Sequence, residues 1–112
     1  MESTRQKKVS RLIQKELSLI FQSISSQYFS NVIISVTIVR ISKDLSIAKI
    51  FISIFPVNDP KIILDEINNK HIMIRKMLAQ KTRNQLRKVP ELIFYLDDSS
   101  SYAENIDQLL KK

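Results

Sequence analysis

The sequence predicts an α+β domain with element order α-β-β-α(bent)-β-α, and three observations carry that reading. A long amphipathic helical pattern opens the chain. Two runs of alternating β-branched residues follow, and a Pro-bounded helical stretch then leads into a third short alternating run. With 112 residues, 44% of them hydrophobic, the chain suits one core, so residues 1–112 are read as a single domain.

Each element has its own signal. Val9, Leu12, Ile13, Leu17, Ile20, Phe21 and Ile24 recur at steps of three and four, which predicts a helix from Ser3 to about Ser26. Ser3 with Gln6 has the spacing of a capping box at its start. From Asn31 the period becomes two: Val32, Ile34, Val36 and Ile38 alternate with Ile33, Ser35, Thr37 and Val39 in a strand. The polar Ser42-Lys43-Asp44 loop joins it to a second strand, Ile47 to Phe55, whose Ala48, Ile50, Ile52 and Ile54 share one face. Asp59-Pro60 opens a helical run, because Asp can cap free N–H groups and Pro fits the first turn. The run reaches Val89 before Pro90 stops it, and its length predicts a bend within it. Leu92, Phe94 and Leu96 form a third strand. Ser101 and Glu104, ahead of Ile106, Leu109 and Leu110, predict a short closing helix.

Composition removes several classes of function. There is no Cys and one His, so neither a disulfide framework nor a Cys- or His-rich metal site is available. Glycine is absent, which excludes a Walker loop, a dinucleotide fingerprint or a GXXG clamp, each of which needs Gly for positive φ or close approach to phosphate. No apolar run is long enough to cross a bilayer. Lys and Arg outnumber Asp and Glu by 18 to 11, for a net charge of +7, which favours polyanionic partners and nucleic acid before membrane.

The cations are placed in rows. Residues 74 to 94 hold six Lys and Arg. At helical spacing Lys76, Arg83 and Arg87 share a narrow arc beside the apolar Ile67, Ile74, Leu78, Thr82 and Leu86, with Lys70, Lys81 and Lys88 on the other flank. Lys8, Arg11 and Lys15 gather on the first helix, away from its apolar stripe. Solvent-facing helices commonly carry such rows. Unpaired like charges repel, however, and a phosphate backbone would offset that cost through counterion release. Arg83 and Arg87 suit phosphate best, because a guanidinium donates two parallel hydrogen bonds.

Two other readings bear on function. If the helices cover the sheet face bearing Ala48, Ile50, Leu92 and Phe94, the opposite face carries Lys49, Phe51, Phe55 and Tyr95 and could stack bases. A closing helix or flanking loop burying Phe51 and Phe55 is the structural alternative. Catalysis finds little support: Asp97 and Asp98 are adjacent at a strand end and point opposite ways. His71, between Ile67 and Ile74, reads as a packed or edge histidine, and the serines at 99 to 101 as a polar connection and cap.

The stretches Val36 to Ile50, Ile74-Arg75, Leu86 to Phe94 and Asp97-Asp98-Ser99 resemble the pattern of bacterial ribosome-binding factor A. Asp44-Leu45 with Ala48-Lys49, and Arg87 with Pro90-Glu91-Leu92, carry most of the likeness. The resemblance implies a type II KH-like fold, a three-stranded sheet with helices on one face, in which a helix kink at a small residue replaces the GXXG turn. Ala79 matches that kink position. It further implies a non-enzymatic assembly factor that binds immature 30S subunits and 16S rRNA and assists late maturation of the RNA's 5′ region, with importance in the cold. Lys8, Arg11, Lys15, Arg75, Lys76, Arg83, Arg87 and Lys88 are then the expected RNA contacts. A cytoplasmic monomer with no cofactor, metal or membrane partner is expected. The departures from the family pattern are a slightly longer Ala79 to Pro90 stretch and Ala103 where the family often has Gly. A generic single-stranded RNA- or DNA-binding module using the open sheet face is the alternative.

Overall fold

Helix α1 (Thr4–Tyr28) begins at the expected cap in the computed structural model, which describes residues 3–29 and 31–97. The Ser3 hydroxyl accepts from the Gln6 N–H at 3.2 Å, and Gln6 Oε1 accepts from the Ser3 N–H at 2.8 Å. This reciprocal box satisfies two N–H groups that the first turn leaves without helical partners. Gln6 also donates from Nε2 to the Ile41 carbonyl, so the cap that starts the helix ties it to a strand end. Val9, Ile13, Leu17, Ile20, Phe21 and Ile24 are buried along one face, while Leu12 sits half-buried at its edge.

Strands β1 (Ile33–Ile41) and β2 (Ile47–Phe55) form the expected antiparallel hairpin, and β3 (Glu91–Leu96) adds to β2 in parallel, giving the order β1-β2-β3. One expectation is corrected here. A bulge between Val36 and Ile38 shifts the register, so the buried series runs Val32, Ile34, Val36, then Val39 and Ile41. Ile38, which strict alternation groups with Val32, Ile34 and Val36, lies on the outer face and is 38% exposed. An extra residue in one strand reverses the facing of everything beyond it, because side chains alternate with period two. Gln14 on α1 answers the bulge: its Nε2 donates to the carbonyls of Val36 at 3.0 Å and Thr37 at 3.2 Å.

The helical run after Asp59 is two helices, α2 (Pro60–Asn69) and α3 (His71–Thr82). Asp59 caps α2 by accepting from the Lys61 N–H at 3.1 Å, with Pro60 in the first turn. The bend expected from the length of the run is present, and it lies at Lys70 (φ −102, ψ 15) rather than at Ala79. Ala79 sits half-buried inside α3, where the strong helix propensity of Ala supports continuity. The break suits Asn68, whose side-chain amide faces the β3 backbone at Phe94, accepting from its N–H and donating to its carbonyl at 3.4 Å each. Helix α3 also ends at Thr82, short of the expected Val89. The fully buried Thr82 hydroxyl donates to the Leu78 carbonyl, and residues 83–90 turn back toward the start of β3.

Helices α1, α2 and α3 pack on the sheet face bearing Ala48, Ile50, Ile52, Leu92 and Phe94. Phe21 meets Phe94 edge to face, with ring centroids 5.9 Å apart. Burying each such side chain contributes about 1.5–3 kcal/mol, so this layer carries the stability of the domain. The architecture is the α+β, KH-like arrangement of a three-stranded sheet with helices on one side. The closing helix expected after Ser101 lies outside the described residues.

Candidate nucleic-acid interface

Between α3 and the segment that follows it lies a cleft of about 930 Å³. One wall is α3, with Ile72, Arg75, Lys76 and Ala79. The opposite wall is the 83–90 segment, with Arg83, Leu86, Arg87 and Lys88. The ends of β2 and β3 close it at Ile47 and Glu91. Five of the eight cations expected to contact RNA therefore line a single cleft, against Glu91 as the carboxylate among its lining residues. Lys76, Arg83, Arg87 and Lys88 are exposed, while Ile72, Ala79, Leu86 and Val89 supply apolar surface beneath them. Such a surface presents cations to phosphate and carbon to a base or ribose face.

Helical spacing predicts this convergence for the wrong reason. Extending the helix places Arg83 and Arg87 on the arc of Lys76, whereas the chain has left the helix by then. They reach the cleft because the segment folds back, and Arg75 holds it there. The Arg75 guanidinium donates from Nη2 to the Val89 carbonyl at 2.7 Å and from Nε to the Pro90 carbonyl at 3.2 Å. Pro90 disfavours helical geometry in the residue before it. Arg75 takes up the carbonyls so freed. Read from sequence as a phosphate contact, it is half-buried and engaged with backbone, although its charge still borders the cleft.

Lys8, Arg11 and Lys15 are exposed along α1, and none of them lines the cleft. Lys70, at the break between α2 and α3, places its ammonium 5.3 Å from the centroid of the Tyr28 ring. His71 borders the cleft at the start of α3, its Nδ1 2.7 Å from the Asn68 carbonyl oxygen. Among the described residues no group of three or more His, Asp or Glu could hold a metal ion. The expected carboxylate pair is described in part: Asp97 is half-buried beyond β3, and Asp98 lies outside the described residues.

The sequence reading missed the β1-β2 loop as part of the site. Ser46 lines the cleft, and its carbonyl accepts from the Glu91 N–H at 2.9 Å. One Asp44 carboxylate oxygen accepts from the hydroxyls of Ser46 at 2.7 Å and Ser42 at 2.8 Å and from the Ser46 N–H at 3.1 Å. These donors, led by the Ser46 hydroxyl, lower the Asp44 carboxyl to about 2. They also hold Leu45 at φ 62, a left-handed conformation that a branched side chain resists. The Ser-x-Asp-x-Ser spacing was the available signal, since hydroxyls two residues either side of an Asp can all turn inward on it.

Comparison with known proteins agrees with this architecture. The family model described as Ribosome-binding factor A matches residues 5–110. A ribosome-binding factor A from Cytophaga hutchinsonii is 49% identical over 112 residues, covering 100% of this chain and 84% of its own length. One from Christiangramia forsetii is 44% identical over 111 residues, covering 98% and 85%. The crystal structure of ribosome-binding factor A from Thermus thermophilus superposes with a TM-score of 0.66 at 20% identity, covering 81% of this chain and 94% of that one. Coordinates of the Thermus thermophilus factor fitted into a cryo-EM map of its complex with the 30S subunit give 0.65, again at 20% identity, covering 88% and 98%. An α+β, KH-like fold with a cationic cleft thus defines the class of protein. The chain belongs to the ribosome-binding factor A family.

Proposed function

We propose that this chain is a non-catalytic assembly factor that binds immature 30S subunits and 16S rRNA, acting as a single KH-like domain over residues 1–112. The observation that carries the reading is the gathering of Arg75, Lys76, Arg83, Arg87 and Lys88 around one cleft with apolar surface beneath. The Thermus thermophilus relative in complex with the 30S subunit supports the choice of partner. Lys76, Arg83, Arg87 and Lys88 contact phosphates, and Arg75 sets the wall that carries three of them. Lys8, Arg11 and Lys15 extend the positive field along α1 and make contacts outside the cleft.

The mechanism is selective binding to an RNA conformation present before final folding. A factor with higher affinity for one state of the subunit shifts the population toward it and leaves when that state is consumed. Late maturation of the rRNA 5′ region is the step assisted. Slowed RNA rearrangement in the cold makes such assistance matter most there. The protein works in the cytoplasm as a monomer, with no cofactor, metal or chemical step.

Co-sedimentation with immature and mature small subunits across a salt series tests this, using the natural protein and Lys76→Glu/Arg83→Glu/Arg87→Glu. Preference for immature subunits that disappears in the variant is the expected result. Equal binding to either subunit, merely weaker in the variant at low salt, would sink the assembly role and leave a basic domain.

A further inference from the structure

The sheet face turned away from the helices is built in rows. Pairing puts Ile38 opposite Phe51 and Phe51 opposite Tyr95, and the adjacent row holds Arg40, Lys49 and Ile93. Phe51 and Tyr95 stack with centroids 5.4 Å apart and ring planes at 26°. Tyr95 is 39% exposed, and Phe55 at the end of β2 is 69% exposed. Among the described residues no helix packs on this face, since every buried strand residue points to the other side.

Three features of the face point to one kind of occupant. Arg40 and Lys49 are exposed and directly opposite in an antiparallel pair, a like-charge arrangement that destabilises a sheet. Among the described residues no carboxylate pairs with either, and a bound anion would offset the repulsion. The stacked rings stand two residues along the strands, about 7 Å from the cations, the kind of separation between a base and the phosphates beside it. Among the described residues Tyr95 lies on an edge strand of the sheet, with Phe51 on one side of its ring and no strand on the other. A planar base can extend that stack.

We propose that this face is a second RNA-contact surface, on which an unpaired base stacks on Tyr95 while Arg40 and Lys49 hold the adjoining phosphates. It is separate from the cleft, because none of Ile38, Arg40, Lys49, Phe51 and Tyr95 lines the cleft. The β1 bulge takes part, since without it Ile38 and Arg40 would face the core. Charge and stacking favour single-stranded RNA over an apolar protein partner, for which a facing pair of cations is a poor match.

The test titrates the full chain with a short single-stranded oligouridylate. The natural protein is compared with Tyr95→Leu, Phe51→Leu/Tyr95→Leu, Arg40→Gln/Lys49→Gln and the cleft variant Arg83→Gln/Arg87→Gln. Leu keeps an apolar side chain and removes the ring, and thermal melting of each variant checks that it folds. Tyr95→Leu should weaken binding about tenfold, the loss of one stacked base, with little change in salt dependence. Arg40→Gln/Lys49→Gln should flatten the salt dependence. Tyr95 ring resonances should move on adding RNA in both the natural protein and the cleft variant. Affinity in Tyr95→Leu within about twofold of natural overturns the proposal. So do Tyr95 signals that move on dilution of the protein alone, or that stay in contact with residues 98–112 when RNA is bound, since the face would then belong to a second copy or to the chain's own end. The two surfaces fail separately: silence of the cleft variant counts against the cleft, and silence of Tyr95→Leu against the sheet.

Discussion

Arg75 Nη2 lies 2.7 Å from the carbonyl oxygen of Val89, and this contact joins helix α3 to the segment carrying Arg83, Arg87 and Lys88. With the second bond to Pro90 it forms a forked clamp on two consecutive carbonyls. A hydrogen bond from a charged donor contributes about 1.5–3 kcal/mol. Arg75→Ala should therefore lower stability by about 2 kcal/mol in denaturant unfolding. Amide exchange over residues 83–90 should accelerate before that of the core. Arg75→Lys keeps the charge and loses the fork, so it should recover little of either effect. Full recovery by Lys would mean that charge, and not the clamp, is what matters.

Replacing Arg83, Arg87 and Lys88 together by Gln should weaken single-stranded RNA binding uniformly across sequences. Removing one phosphate contact lowers the slope of log K against log salt by about 0.7, so removing three should lower it by about 2. An unchanged slope would place the phosphate elsewhere.

Asp44 supplies a pH-dependent prediction. Its carboxyl is lowered from 3.8 to about 2 by the hydroxyls of Ser46 and Ser42 and the Ser46 N–H. A group with a depressed folded value contributes stability that is present above its unfolded value and lost as pH falls through the folded one. The carboxyl chemical shift of Asp44 should therefore titrate near pH 2, and the Ser46 amide signal should move with it. Ser46→Ala, which removes the leading donor, should raise that midpoint. A midpoint that stays put would show the hydroxyl to be idle.

Gln14 donates to two carbonyls at the β1 bulge, those of Val36 and Thr37. Gln14→Leu leaves them to water, which should cost about 1–2 kcal/mol in urea denaturation. If the bulge depends on this contact, Ile38 and Phe51 signals should broaden in the variant, as the register that sets the outer face loosens.

Phe21→Ala removes a fully buried ring that packs edge-on against Phe94. The expected loss is about 3–5 kcal/mol, a large part of the total stability of a small domain. The change should appear as a lower denaturation midpoint with similar m-value. Phe21→Leu should cost less than half as much.

The sequence reading succeeded where local periodicity governs. The Ser3 box and the Asp59-Pro60 start of α2 are present as read, and so are the buried stripe of α1 and the Ala48 face of β2, apart from Leu12 and Ile54, which are half-buried. It failed at positions set by contacts from distant parts of the chain. Lys70 gives no local sign of a helix break, which accompanies the contact of Asn68 with Phe94 on β3. Ile38 gives no sign of facing outward, because the bulge that turns it is answered by Gln14 on another element.

The candidate site divides in the same way. Charge excess and the cation-rich stretch before Pro90 are properties of composition and spacing, and they pointed to a surface for polyanions. The KH-like fold without a glycine clamp was implied by the resemblance to the ribosome-binding factor A family, with which the absence of glycine is consistent. Which cations meet was decided only on folding. Arg75, five positions after Lys70 in the sequence, is turned inward to the backbone of residues 89 and 90. Arg83 and Arg87 come beside Lys76 through a reversal of the chain, and Lys8, Arg11 and Lys15 remain apart on α1. Periodicity encodes the face of a single element, because the backbone repeat is local. The meeting of faces from several elements depends on turns and long-range hydrogen bonds, whose partners are distant in sequence and carry no periodic mark.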